Sequence, residues 1–165
     1  RACRYNGTAE FDTIAEVKQA ISIPLFANGD ITSPEKAKAV IEYTGADGVM
    51  IGRGAQGAPW IFNQVKTFLS TGELVAAPDI NERQTIIMQH LKALHEFYGE
   101  VPGIRIARKH IGWYMNAFEQ GATFRSQFNQ LNCAESQEDA LMAFFASGTT
   151  LKQNQSGINK EEQAA

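Results

Sequence analysis

Cysteine is scarce: the chain of 165 residues has two, Cys3 and Cys133, far apart and without metal-ligand spacing. That points away from a disulfide scaffold and from a metal centre, and two reduced thiols suit a cytosolic protein. Cys3 lies between Arg1 and Arg4, which could lower its pKa, yet a bystander role is expected; Cys133 is expected to pack. No apolar run is long enough for a membrane-spanning helix. Positive charge does not dominate either, with 15 Lys and Arg against 18 Asp and Glu and a net charge of −3. A global basic field for nucleic acid is thereby excluded, and any such signal must be local. The chain begins at Arg1 rather than Met, in the middle of apparent structure, and reads as the C-terminal piece of a longer protein. Its length suffices for an ordinary domain but falls short of the about 250 residues of a (β/α)8 barrel. Strand signals are absent after Gly54.

Before Gly54 two short apolar runs stand out. Pro24–Ala27 and Gly48–Ile51 each end in glycine plus a charged residue, and each reads as a strand buried on both faces. Between them Ser33 is a good N-cap, Pro34 suits the first helical position, Ala37, Val40 and Ile41 recur at helical spacing, and Gly45 marks a stop. Ahead of them Asn6-Gly7 signals a turn, and Asp12 can cap a helix carrying Ile14, Val17 and Ile21. Strand, glycine turn, helix, repeated, is the grammar of a parallel α/β sheet, whose ligands bind at the carboxyl ends of the strands. Asn28, Gly29 and Asp30 end the first strand, and Gly52 and Arg53 end the second. Glycine admits close backbone approach, helix starts favour anions, and the Arg53 fork suits phosphate. Singly, each loop is explained by a tight turn, with Arg53 pairing a surface carboxylate. In tandem they favour a phosphate site.

Beyond Gly54-Ala55-Gln56-Gly57-Ala58, Pro59 opens a helix to about Leu69, stopped by Gly72, and residues 73–78 read as a linker. Composition then changes. Asp79 with Glu82 resembles a capping box, opening a helix to about Tyr98 with Ile87, Leu91, Leu94 and Tyr98 on one side. Gly99, Pro102 and Gly103 should break it, and a second helix should run from about Ile104 to Ala117. Thr123 can cap a third helix carrying Phe124, Phe128 and Leu131, and Ser136 a fourth carrying Leu141, Phe144 and Phe145. Residues 79–147 thus read as a helical bundle, and 148–165, polar and without aromatics, as a disordered tail.

The second bundle helix holds Arg105, Arg108 and Lys109 at i, i+3 and i+4, on one face beside His110. From Gly103 to Arg125 four basic residues face one acid, Glu119, a local excess of +3 inside a chain of net −3. A basic stripe beside aromatic residues suits RNA phosphates, although a solvated helix face would look the same. His90 and His95, five apart on one helix, share no face and read as surface or partly packed histidines.

Residues 1–7 (Arg-Ala-Cys-Arg-Tyr-Asn-Gly), 27–31 (Ala-Asn-Gly-Asp-Ile), 45–53 (Gly-Ala-Asp-Gly-Val-Met-Ile-Gly-Arg), 56–62 (Gln-Gly-Ala-Pro-Trp-Ile-Phe) and 105–110 (Arg-Ile-Ala-Arg-Lys-His) together resemble bacterial tRNA-dihydrouridine synthases, B type above all. The similarity runs from Arg1 to about Phe145. It implies the C-terminal portion of a (β/α)8 TIM barrel over residues 1–72, followed by an all-helical tRNA-binding domain over 79–147. It implies FMN as cofactor with its phosphate on Asn28, Gly29, Asp30, Gly52 and Arg53, NADPH as reductant, and tRNA as the partner of Arg105, Arg108, Lys109 and His110. A cytoplasmic monomer is expected. In such enzymes reduced flavin gives hydride to C6 of a uracil taken out of its stack, and a cysteine protonates C5. The family's catalytic cysteine precedes Arg1, and Cys3 and Cys133 match no catalytic position, so no catalytic residue is expected here and the chain alone should not turn over. Two other readings are a piece of another FMN- or phosphate-binding barrel oxidoreductase, and a non-catalytic RNA-binding module. tRNA binding by residues 79–147 and the coding sequence upstream of Arg1 discriminate among the three.

Overall fold

The computed structural model describes residues 9–153. The Asn6-Gly7 turn, Cys3 and the tail from residue 154 lie outside the described residues. Contacts divide the chain into two compact units, Arg1–Pro78 and Asp79–Ala165.

In the first unit α1 (Asp12–Ala20), β1 (Phe26–Asn28), α2 (Pro34–Thr44), β2 (Gly48–Met50), a 3-10 turn (Arg53–Ala55) and α3 (Ile61–Thr71) follow in order. The two strands pair in parallel, Phe26 with Gly48, Ala27 with Val49 and Asn28 with Met50. Local chemistry sets the helix ends. The Ser33 hydroxyl accepts from the Lys36 N–H, Pro34 occupies the first helical position of α2, and Gly45 and Gly72 close α2 and α3 in the left-handed conformation. Asp12 is not the cap of α1: it is the first helical residue and accepts from the Tyr43 hydroxyl, while the Glu10 carboxylate takes the Thr13 N–H at 2.7 Å. Asp47 ties this unit together, accepting from Lys18 Nζ at 2.6 Å and from the Leu25 N–H at 2.8 Å. Its carboxyl pKa is held below the usual range by the Lys18 hydrogen bond first and the Leu25 N–H next.

The core joins Ala27, Ile31, Ala37, Val40, Ala46, Ile61 and Val65, with Phe11, Ile14, Leu25 and Val49 against it. The strands were expected to be buried on both faces, and here the structure differs. Ala27 is fully buried, whereas Phe26 and Met50 are 63% and 58% exposed. Alternation along a strand sends neighbours to opposite faces. The helices cover the Ala27 side, and among the described residues the Phe26 and Met50 side is open.

The second unit contains α4 (Ile80–Tyr98), α5 (Glu100–Met115), α6 (Gly121–Phe128) and α7 (Ala134–Ala146). The capping box forms: the Asp79 carboxylate accepts from the Asn81 and Glu82 N–H groups, and Glu82 reaches back to the Asp79 N–H. Only Gly99 separates α4 from α5. Pro102 and Gly103 do not break the chain as expected; they lie inside α5. Proline costs nothing in a first turn, whose N–H groups lack helical partners. Gly103 lets α5 cross α4 closely, since a Cβ there would stand 3.0 Å from the Leu94 carbonyl oxygen and the His95 Cα. The third helix starts at Gly121, before Thr123, and the fourth is capped by Cys133, whose Sγ accepts from the Ser136 N–H at 3.4 Å, not by Ser136.

Ile87, Leu91, Ile111, Met115, Phe118, Phe128 and Leu141 form the most deeply buried part of this unit. Tyr98, expected on the same side, is 45% exposed. Gln137 is fully buried, with Oε1 2.8 Å from His95 Nε2 and Nε2 donating to the Ile104 carbonyl. The expected tail does not begin at residue 148. Leu151 bridges Phe118 in antiparallel fashion, the Glu119 N–H donates to the Thr150 carbonyl, and buried Thr149 donates to Gln120.

Candidate functional site

The parallel register brings both strands to an end at one edge, so Asn28-Gly29-Asp30 and Gly52-Arg53 emerge side by side. Gly29 has φ +151°, and a Cβ on it would stand 2.5 Å from the Ala9 Cβ, so both conformation and space select glycine. Asp30 follows at φ +44°, a left-handed position that Asp tolerates better than most residues. Its two oxygens are both engaged, Oδ1 by the Arg53 guanidinium at 2.8 Å and Oδ2 by the Ala9 N–H at 2.9 Å. Arg53 therefore meets a carboxylate, as the plainer reading has it, but that carboxylate belongs to the neighbouring loop of the same edge. The pair locks the two loops together while leaving Arg53 56% exposed. Exposure on this scale keeps the pair's stabilisation small, and its role here is geometric.

Gly52 has no atom within 4 Å of where a Cβ would be. Gly54 is the sterically demanding glycine, since a Cβ there would stand 2.3 Å from the Ile31 carbonyl oxygen. The sequence marks the 54–58 run as small and suited to close backbone approach, but not this constraint on Gly54, because the contact comes from a residue 23 positions earlier. These features fit a phosphate group: open space at Gly52, N–H groups at the start of the 53–55 turn, and a planar cation at its rim. Asp30 adds one negative charge, offset by the guanidinium, whose five donors can serve two acceptors.

In the second unit the four residues of the basic helix have unequal surroundings. Arg105 and Lys109 are exposed, and Lys109 Nζ lies 5.1 Å from the Trp113 ring centroid. Arg108 is half-buried and donates to the Leu131 carbonyl at 2.9 Å and to Asn132 Oδ1 at 2.8 Å. His110 contacts His90 edge-on at 5.0 Å between ring centroids and Trp113 at 4.8 Å. His90 is a packed residue, its Nδ1 2.8 Å from the hydroxyl of buried Tyr114. Burial lowers the pKa of His90; burial, then His90 and Lys109, lowers that of His110; burial pushes Tyr114 up to about 12.

Known proteins resolve the class of the chain. The sequence profile described as Dihydrouridine synthase (Dus) matches residues 1–149. The chain belongs to the dihydrouridine synthase family. It is 56% identical over 146 residues to tRNA-dihydrouridine synthase B of Pseudomonas putida, covering 88% of this chain and 43% of that protein. Over 145 residues it is 54% identical to tRNA-dihydrouridine synthase B of Vibrio vulnificus, covering 88% of this chain and 45% of that one. The protein of the same name from Pseudomonas syringae pv. tomato is 51% identical over 165 residues, 100% of this chain and 48% of its own length. The chain thus spans less than half the length of these curated relatives. Among the described residues no helix is long and apolar enough to cross a membrane.

Proposed function

We propose that the chain is the C-terminal part of a cytoplasmic, FMN-dependent tRNA-dihydrouridine synthase that uses NADPH. The observation that carries this reading is the shared edge of Asn28-Gly29-Asp30 and Gly52-Arg53 in a chain whose residues 1–149 match the family. In the proposed whole enzyme the open Phe26 and Met50 face is the inner wall of a TIM barrel, and Asn28, Gly29, Asp30, Gly52 and Arg53 hold the FMN phosphate. When bound, the flavin supplies the hydride that reduces uridine to 5,6-dihydrouridine. This chain's own part is to hold and orient. The glycines let backbone N–H groups approach an anion, Asp30 fixes the Arg53 fork, and the helical unit grips tRNA so that one uridine can reach the flavin. The proton donor to C5 is a cysteine outside this chain, so residues 1–165 alone do not turn over.

Arg53→Ala in the full-length protein tests the cofactor half of this reading. Loss of a charge-assisted contact weakens FMN binding by about 1.5–3 kcal/mol. Titration of apoprotein with FMN measures it, and equal affinity in variant and parent rejects Arg53 as a phosphate ligand.

A further inference from the structure

We propose that the RNA-facing charge of the helical unit is assembled from two helices, Arg105 and Lys109 of α5 with Arg125 of α6, and that Arg108 is a strut inside the unit. This rests on the reading of the unit as a tRNA grip and changes which residues do the gripping.

Arg108 is committed elsewhere. Its guanidinium donates to the Leu131 carbonyl and to Asn132 Oδ1, and its Nε is a buried nitrogen. Leu131 belongs to the turn that follows α6, where carbonyls lack helical partners and a cation is favoured. Turning Arg108 out to a phosphate would strip that part-buried carbonyl of its donor. The side chain therefore pins the turn between α6 and α7 to α5.

Arg125 takes the place so vacated. It is exposed, and it lies across α5 at Gly112. A Cβ built on Gly112 would stand 3.0 Å from Arg125 Nε, 3.4 Å from its Cδ and 3.5 Å from its Cζ. Gly112 follows Arg105 and Lys109 at i+7 and i+3, so the three positions form one stripe. The missing side chain at 112 is the slot through which α6 delivers a third cation to that stripe. Lys109, over the Trp113 ring, is already partly ordered. Three cations on one stripe of a chain whose net charge is −3 suit a polyanion with regularly spaced charges, and the RNA backbone has that chemistry.

The test measures the affinity of the full-length protein for an unmodified tRNA transcript at several salt concentrations, with thermal unfolding in parallel. Arg105→Ala, Lys109→Ala and Arg125→Ala each flatten the log–log salt slope by about 0.7–0.9 at the parent melting temperature, and Arg125→Lys keeps the slope. Arg108→Ala lowers the melting temperature and leaves the slope unchanged. Should Arg108→Ala fail to fold, Asn132→Ala removes one arm of the strut with every cation in place, and it too lowers the melting temperature without touching the slope. A flattened slope at parent stability in Arg108→Ala, or an unchanged slope in Arg125→Ala, overturns the proposal. If the slope responds to Arg105→Ala and Lys109→Ala but not to Arg125→Ala, only this assignment fails. If the parent shows no salt-dependent affinity, the tRNA reading fails and takes the assignment with it.

Discussion

Gly54→Ala should damage the strand edge more than any exposed substitution near it. The added Cβ would stand 2.3 Å from the Ile31 carbonyl oxygen, against the 3.0 Å that real Cβ atoms keep, a deficit of 0.7 Å. The obstacle is backbone, so no rotamer change relieves it. Ile31 is 3% exposed and belongs to the core, so the carbonyl cannot retreat freely. The loop carrying Gly52 and Arg53 must move instead, and Asp30, next to Ile31, feels the same displacement. Overpacking of this size costs about 1–3 kcal/mol. Urea denaturation of the full-length protein should show that loss, and FMN retention on gel filtration should fall with it. Gly52→Ala is the control, because nothing lies within 4 Å of its Cβ position. It should keep parent stability and lose FMN affinity only, by filling the space that the phosphate is proposed to use. A Gly54→Ala protein with parent stability and parent FMN content would refute the steric argument.

Other expectations follow from single contacts. Asp79→Ala removes the acceptor for two N–H groups of α4 and should cost about 1 kcal/mol in urea denaturation, with helix content lost at the start of α4. Phe128→Ala truncates a ring that is 1% exposed and should cost about 3–5 kcal/mol by the same assay. The folded-state pKa of His90 lies below its unfolded value, so its contribution to stability is complete above the unfolded pKa, near 6.5, and is lost as pH falls toward the folded one. Thermal stability should therefore drop as pH falls below about 6.5, and His90→Gln should shrink that drop; an identical pH dependence in the variant would show that other groups cause it.

What could be read from the sequence was what the chain decides locally. Ser33 with Pro34, Gly45, Gly72 and the Asp79–Glu82 box act within four residues, and each is where its residue type places it. The parallel pairing followed from order alone. What could not be read depends on partners far along the chain. Gly103 and Pro102 look like breakers until α4 is packed against α5. Arg108 looks like one of three equivalent cations until Leu131 and Asn132, 23 and 24 residues on, come within 3 Å. Cys133 as an N-cap ran against residue preference, since a thiol is a weak acceptor and Ser136 stood close by. Residues 149–152 looked like tail because their partners, 117–120, give no strand pattern of their own. The shared strand edge was legible in its glycines and Arg53, whereas the constraint on Gly54 is purely spatial.

The single-residue joint between α4 and α5 bears on the order in which the helical unit forms. Gly103 meets Leu94 and His95 across that joint, fewer than ten residues apart, so the contact closes a short loop at little entropic cost. By contrast, His95 and Gln137 are 42 residues apart, and Phe118 must wait for Leu151. The α4–α5 hairpin should accordingly be native-like at the folding barrier, with α7 and the final bridge added on the downhill side. Gly103→Ala should then act mainly on the folding rate, and Gln137→Ala mainly on the unfolding rate. Within the unit, this close crossing is also the earliest commitment.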